Sequence, residues 1–248
     1  MAEPMPLKTL AVIPARYGST RLPAKPLLKL KGRELVLWVW EGVRQSRRVE
    51  RVIVATDHED IVKVVQRAGG EAMLTPESLP TGSDRVAYVA RRVPSRYVLN
   101  VQSDDPLISA RHIDPMLEAL EEDPAIQLAL LAKTIDRPEE IERDSIVKMV
   151  FGADGRALYF SRSPIPFARN PVTAYYKHIG PYAWRRESLL AFSSWEQTPL
   201  EKAESLEMLR LLEKGGIIKC LLTDSDTVEI DTPEDLERFA RAQAGTEK

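Results

Sequence analysis

The stretch Ile13-Pro14-Ala15-Arg16-Tyr17-Gly18-Ser19-Thr20-Arg21-Leu22-Pro23-Ala24-Lys25-Pro26-Leu27 decides how this chain of 248 residues is to be read. Just before it, Leu10-Ala11-Val12-Ile13 is a short apolar run of the kind that forms a strand buried on both faces, and just after it Leu35 to Val43 reads as a helix. In an open parallel sheet the loops at the carboxyl ends of the strands line the ligand crevice, which would gather Arg16, Ser19, Thr20, Arg21 and Lys25 there. Three cations within ten residues suit a polyanion. Pro14, Pro23 and Pro26 fix φ at three points, so less ordering entropy is left to lose when a ligand arrives. Gly18 is the only glycine and no Gly-Lys-Ser/Thr follows, so the run is neither a Walker A loop nor a GxGxxG fingerprint. Residue types alone leave a solvated turn equally open.

Working outward, 44% hydrophobic residues over this length supply one substantial core, and a single domain spanning 1–248 is the expectation. A net charge of -2 gives no reason to expect nucleic acid or an anionic membrane as partner, so any polyanion site must be local. The single cysteine, Cys220, excludes an internal disulfide, and its setting in Ile217-Ile218-Lys219-Cys220-Leu221-Leu222 reads as a buried strand thiol. No apolar run approaches the ~20 residues that span a bilayer, and the N-terminus lacks the apolar segment of a signal peptide, so a cytoplasmic location is expected.

Arg51 to Ala55 reads as a second strand, His58 to Ala68 as a helix closed by Gly69-Gly70, and Glu71 to Thr75 as a third strand. A β-α-β-α start implies right-handed crossovers and a largely parallel sheet. Trp38 and Trp40, in the helix after the opening loop, read as core. Pro80-Thr81-Gly82-Ser83-Asp84-Arg85 leads into a helix from Val86 to Arg92, where a helix N-terminus offers N–H groups to an anion and Ser83 also fits a plain N-cap. Tyr97 to Gln102 is a strand that runs into Ser103-Asp104-Asp105-Pro106. Gln127 to Ala132, Val147 to Phe151 and Ala157 to Ser161 are further strands, the last two joined by an Asp154-Gly155 hairpin turn that brings antiparallel pairing. A short helical stretch surrounds Pro138 to Glu142, and Leu200 to Leu212 reads as one helix, whose Glu204, Glu207 and Arg210 fit a solvated charged face.

Carboxylates at a strand end suggest a metal. Magnesium takes oxygen ligands, typically one or two carboxylates plus substrate phosphates, and Asp104 fits that pattern. Asp231, after Val228-Glu229-Ile230 and before Thr232-Pro233-Glu234, is the candidate second acid, although by itself it reads better as N-cap to a last helix from Pro233 to Ala242.

The opening run resembles the N-terminal signature of the sugar-acid cytidylyltransferases, in the Arg-Tyr-x-Ser-Thr-Arg-Leu-Pro-x-Lys-Pro-Leu form of the 3-deoxy-manno-octulosonate (Kdo) branch. Further stretches match in the same order: Val54-Ala55-Thr56-Asp57, Thr81 to Arg85, Asn100 to Pro106, Ala157 to Pro166, Lys177-His178-Ile179-Gly180 and Val228 to Leu236. The resemblance therefore covers nearly the whole chain. It implies an α/β, Rossmann-like nucleotidyltransferase fold, with a predominantly parallel mixed sheet flanked by helices. It also implies a dimerisation arm or subdomain at about 155–190, of which Arg162 to Tyr176 would be the pairing segment of a homodimer. The activity implied is transfer of CMP from CTP to the anomeric hydroxyl of the sugar acid, with release of pyrophosphate, for lipopolysaccharide biosynthesis. Carried over residue by residue, Arg16, Arg21, Lys25 and Asp104 would be catalytic, and Pro14, Ala15, Arg16, Arg21, Thr81, Gly82 and Arg85 would bind the nucleotide. Gln102, Arg162, His178, Tyr182 and Glu207 would hold the sugar acid, and Asp104 and Asp231 would ligate two magnesium ions per site. Three positions depart from the family pattern: Ser103 stands where Gly is usual, Asp105 where Glu is usual and Met208 where Gln is usual. An 8-amino variant of the sugar, a nonulosonic acid, or a nucleotide-binding protein without turnover stays open on that account.

Overall fold

β1 runs from Leu7 to Ala15, and Leu10 to Ile13 within it are wholly buried, as a parallel strand covered on both faces must be. The structure, a computed structural model, describes residues 6–18, 24–171, 174–225, 227–230, 235 and 239. Arg21, Asp231 and most of the helix expected from Pro233 to Ala242 lie outside the described residues. The chain divides into two compact units, residues 1–114 with 225–248, and residues 115–224.

In the first unit a small hairpin of β2 (Lys29–Leu30) and β3 (Arg33–Glu34) leads into α1 (Leu35–Arg44). Then come β4 (Arg51–Thr56), α2 (Glu59–Arg67), β5 (Glu71–Leu74), α3 (Gly82–Arg92) and β6 (Ser95–Asn100), with α4 (Ala110–Glu122) crossing the boundary between the units. β1 lies between β4 and β6 and β5 pairs with β4, all in parallel, as the β-α-β-α reading requires. Trp40 is buried, and Trp38 gives its indole N–H to the Leu30 carbonyl at 3.1 Å while its ring meets Phe239 edge-on, so both tryptophans are core, as expected. α3 starts earlier than its apolar period indicates: Thr81, and not Ser83, is the N-cap, accepting from the Asp84 amide at 3.1 Å. α4 has no counterpart among the expected elements, because Pro115 inside it argues against a helix.

The second unit holds β7 (Leu128–Thr134), β8 (Lys148–Phe151), β9 (Ala157–Ser161), β10 (Tyr176–Arg185), α5 (Arg186–Phe192), α6 (Pro199–Glu204), α7 (Met208–Glu213) and β11 (Ile218–Leu222). β11 pairs with β7 in parallel, while β7 with β10, β10 with β8, and β8 with β9 are antiparallel, so the strands are mixed. Gly155, with φ +76°, makes the β8–β9 turn that Asp154-Gly155 announces. β10 is hidden in sequence because Gly180-Pro181 breaks its alternation; a register shift between Ile179 and Tyr182 accommodates the proline, which has no N–H to give. Cys220 is buried in β11, and burial pushes its thiol up to about 12, which removes it as a nucleophile.

One expectation is overturned. Leu200 to Leu212 is not one helix with a solvated charged face: it breaks at Ser205, which takes φ +53° between α6 and α7. A capping box of Thr198 and Glu201 opens α6. Arg210 points inward, and its guanidinium meets the Glu201 carboxylate at 2.5 and 2.7 Å. Burial works against that carboxylate, yet the hydrogen bonds and charge of Arg210 hold its pKa below the ordinary value.

Gly42 in α1 is a point of close approach, since a Cβ built there would stand 2.0 Å from the Ile108 carbonyl oxygen. Gly42→Ala should therefore lower unfolding stability by at least about 1–3 kcal/mol, the range for overpacking a tight site, read as a lower urea midpoint at unchanged slope. An unchanged midpoint would show that α1 can move away at no cost.

Candidate active site

Parallel pairing sets Ala15 opposite Thr56 and Val12 opposite Asn100, so β1, β4 and β6 release their following segments at the same edge. After β1, Arg16 gives one guanidinium nitrogen to the carbonyls of Leu79 and of Pro80, the latter at 2.9 Å, which ties the cationic loop to the segment entering α3. Pro14 is buried beneath it, and a Cβ placed on Gly82 would lie 3.5 Å from Pro14 and 3.9 Å from the Gln102 side-chain oxygen. Pro14, Gly82 and Gln102, widely separated in the chain, are therefore neighbours. Asn100 orients Gln102 by accepting its amide N–H at 3.3 Å, and itself donates to Ser83 at 3.4 Å.

Lys25 reaches Asp104, with Nζ 2.7 Å from Oδ2. The other carboxylate oxygen, Oδ1, is buried and has no hydrogen-bond partner among the described residues. A buried carboxylate oxygen left over in this way is an acceptor that a donor or a hard cation can use. The backbone of Asp104 accepts from the Ile230 amide at 2.9 Å, and the Asp105 carboxylate accepts from Val228 at 3.3 Å and Leu107 at 3.1 Å. The chain just before Asp231 is thus stitched to the Asp104 turn. Burial pushes the Asp105 carboxyl up to about 7, against the pull of those two amides. Among the described residues there is no cluster of three or more His, Cys, Asp or Glu that would hold a metal unaided.

Arg85 differs from a surface phosphate ligand. It is wholly buried, donates to Thr75 and lies 3.3 Å from Asp57. Burial lowers its pKa, the Asp57 charge opposes that, and nearby Arg16 adds to the lowering. Thr81 shares a hydrogen bond of 2.8 Å with Asp84 while capping α3.

The remaining sugar-acid candidates belong to the second unit. His178 and Tyr182 stack at 5.1 Å between ring centroids, and the Tyr182 hydroxyl lies 3.8 Å from the Met208 sulfur. The His178 Nε2 is buried without a partner among the described residues, and burial pushes the imidazole down to about 4. Arg162 is braced through its side chain by the Glu204 carbonyl at 2.7 Å and the Asp144 carbonyl at 2.9 Å. Glu207 occupies the N-cap position of α7. Two residues that carry Arg162 have no signal in spacing or motif: Glu204 accepts from the Arg162 amide at 2.9 Å, and the buried Lys148 donates to its carbonyl.

A parallel sheet edge that gathers a cationic loop and a helix N-terminus defines an α/β protein suited to a nucleoside phosphate. The chain belongs to the cytidylyltransferase family, whose sequence profile matches residues 10–229. It is 42% identical over 241 residues to a 3-deoxy-manno-octulosonate cytidylyltransferase of Bdellovibrio bacteriovorus, covering 95% of this chain and 97% of that one. A solved structure of CMP:2-keto-3-deoxy-manno-octonic acid synthetase complexed with CTP superposes with a TM-score of 0.91 at 40% identity, covering 97% of this chain and 100% of the other. A 4-diphosphocytidyl-2C-methyl-D-erythritol synthase from Anaerococcus prevotii, 17% identical with a TM-score of 0.66 and covering 96% of both chains, shares the fold.

A histidine whose folded pKa lies near 4 is neutral in the native state at neutral pH, whereas its unfolded pKa is near 6.5. Its share of stability is complete above the unfolded value and is lost as pH falls from about 6.5 towards 4, where the unfolded chain binds the extra proton. Thermal unfolding of His178→Gln should therefore fall less steeply than that of the native chain between those pH values. Parallel melting-temperature profiles would contradict the buried neutral imidazole.

Proposed function

We propose that the chain transfers CMP from CTP to the anomeric hydroxyl of 3-deoxy-manno-octulosonate, giving CMP-Kdo and pyrophosphate. The observation that carries this reading is the Lys25–Asp104 pair, with Oδ1 of Asp104 unpartnered among the described residues, at the sheet edge of a chain that aligns nearly end to end with enzymes of that name. The new bond joins the sugar oxygen to the α-phosphorus as the hydroxyl proton passes to solvent, and the bond from the α-phosphorus to the bridging oxygen breaks, its electron pair leaving with pyrophosphate. Such transfers ask a protein for in-line positioning and for neutralisation of phosphate charge rather than for covalent chemistry.

In this proposal Pro14, Ala15, Thr81 and Gly82 seat the nucleotide, and Arg16, Arg21 and Lys25 present positive charge to its phosphates. Arg16 is already anchored through one nitrogen, so little reorganisation of its fork is left for the moment of reaction. Gln102, Arg162, His178, Tyr182 and Glu207 are the residues assigned to the sugar acid. Because His178 is neutral, it would act as a hydrogen-bonding group at Nε2 and not as a counter-charge for the carboxylate. Magnesium fits as cofactor on the bare Oδ1 of Asp104, with Asp231 as the second acid; when bound, it supplies positive charge to phosphate oxygens. We also propose that the Arg162 to Tyr176 connection pairs two copies of the chain, a reading that the 88% exposure of Phe167 supports. A cytoplasmic location belongs to the same proposal.

Asp104→Asn preserves volume and the acceptor facing Lys25 but removes the charge. With CTP, magnesium and 3-deoxy-manno-octulosonate, pyrophosphate release should fall by at least about 100-fold, at an unchanged circular dichroism spectrum. Full turnover in that variant would refute the role given to Asp104. Release with an 8-amino or nonulosonic acid in preference to 3-deoxy-manno-octulosonate would reassign the acceptor and leave the nucleotide chemistry standing.

A further inference from the structure

Asp57 has no role in the chemistry described so far, yet its carboxylate meets both the cationic loop and the guanidinium of α3. It follows β4 directly, and since Thr56 is paired with Ala15, it faces the first residues of the cationic loop across the strand ends. Its Oδ1 accepts the backbone N–H of Tyr17 at 2.9 Å, and its Oδ2 lies 3.3 Å from the guanidinium of Arg85. The Tyr17 ring stacks on His58, the next residue after Asp57, with 3.7 Å between centroids and 13° between planes. Arg85 also donates to the Thr75 hydroxyl, and Thr75 in turn gives its amide and its hydroxyl to the Thr56 carbonyl at 2.8 and 2.9 Å. Loop, strand end and helix α3 are thus joined through one carboxylate.

Two explanations compete for this carboxylate. As a counter-ion for Arg85, which is wholly buried, it needs only Oδ2, since a buried cation without its partner is strongly destabilising. That explanation leaves Oδ1 and the His58 stack unused. We infer that Asp57 is the positioning residue of the cationic loop: by holding the Tyr17 amide it fixes the backbone next to Arg16 in the geometry that receives the triphosphate. The inference rests on the proposed use of CTP. Its sign is informative, because Asp57 is an anion beside a site for anions. If it acted through charge alone, its removal would strengthen CTP binding. If it positions the loop, removal weakens it.

Asp57→Ala would leave Arg85 buried without a counter-ion and could unfold the unit, so the test compares two double variants free of that charge, D57N/R85M and D57L/R85M. Both lack the ion pair, and only the first keeps an acceptor for Tyr17. The Tyr17 amide should exchange hydrogen about tenfold faster in D57L/R85M, the loss expected for one hydrogen bond, with the two melting temperatures alike. The same variant should bind CTP at least about fivefold more weakly by calorimetry, while the KM for the sugar acid is the same in both. Equal Tyr17 exchange would overturn the inference. Faster exchange with equal CTP affinity would overturn it too, since Asp57 would then be structural alone. If the unsubstituted chain releases no pyrophosphate with any acceptor, the functional reading fails separately, and the exchange comparison still decides whether Asp57 holds the loop.

Discussion

Parallel pairing of β1 with β4 and β6 is the constraint from which the nucleotide edge follows. Strands that run the same way end on the same side, so residues remote in sequence leave the sheet as neighbours: Arg16 after β1, Asp57 after β4, and Gln102 with Asp104 after β6. Antiparallel pairing would have sent Asp57, in the case of β4, or Gln102 and Asp104, in the case of β6, to the opposite edge. The buried apolar run of β1 is therefore a functional feature as well as a core, because its register fixes where the loop begins.

Two of the cations described at that edge, Lys25 and Arg85, are paired with carboxylates before any ligand arrives. Lys25 faces Asp104, Arg85 faces Asp57, and Arg16 is held on neutral carbonyls. Pairing keeps like charges tolerable at close quarters, as the Arg16 and Arg85 guanidinium groups require. It also leaves each carboxylate half engaged. The second oxygen of Asp57 takes a loop amide, whereas that of Asp104 has no partner among the described residues.

Much of this was legible in the sequence, and the reasons differ by element. The strands before and after the opening loop, α1, α2 and the Asp154-Gly155 turn follow from apolar period and turn chemistry, which are local. The cationic loop and Asp104 could be singled out because residue type at a strand end carries meaning without any partner being known. What failed was what depends on distant neighbours. Arg210 and Glu204 look like a wet helix face until Glu201, Ser161 and Arg162 are seen to receive them. β10 and α4 each carry a proline that a local rule counts against them, and a register shift accommodates the one in β10. The full burial of Arg85 against Asp57 and Thr75 likewise reflects a long-range pairing that no periodicity encodes.

The account stands on the claim that the cationic loop and the Asp104 turn form one receptor for a triphosphate and its cation. A crystal structure of the chain with CTP and magnesium tests it most directly. The account predicts the triphosphate against residues 16–25, with Oδ1 of Asp104 on the cation and Tyr17 still held by Asp57. A triphosphate bound away from that loop, or a cation that bypasses Asp104, would contradict it.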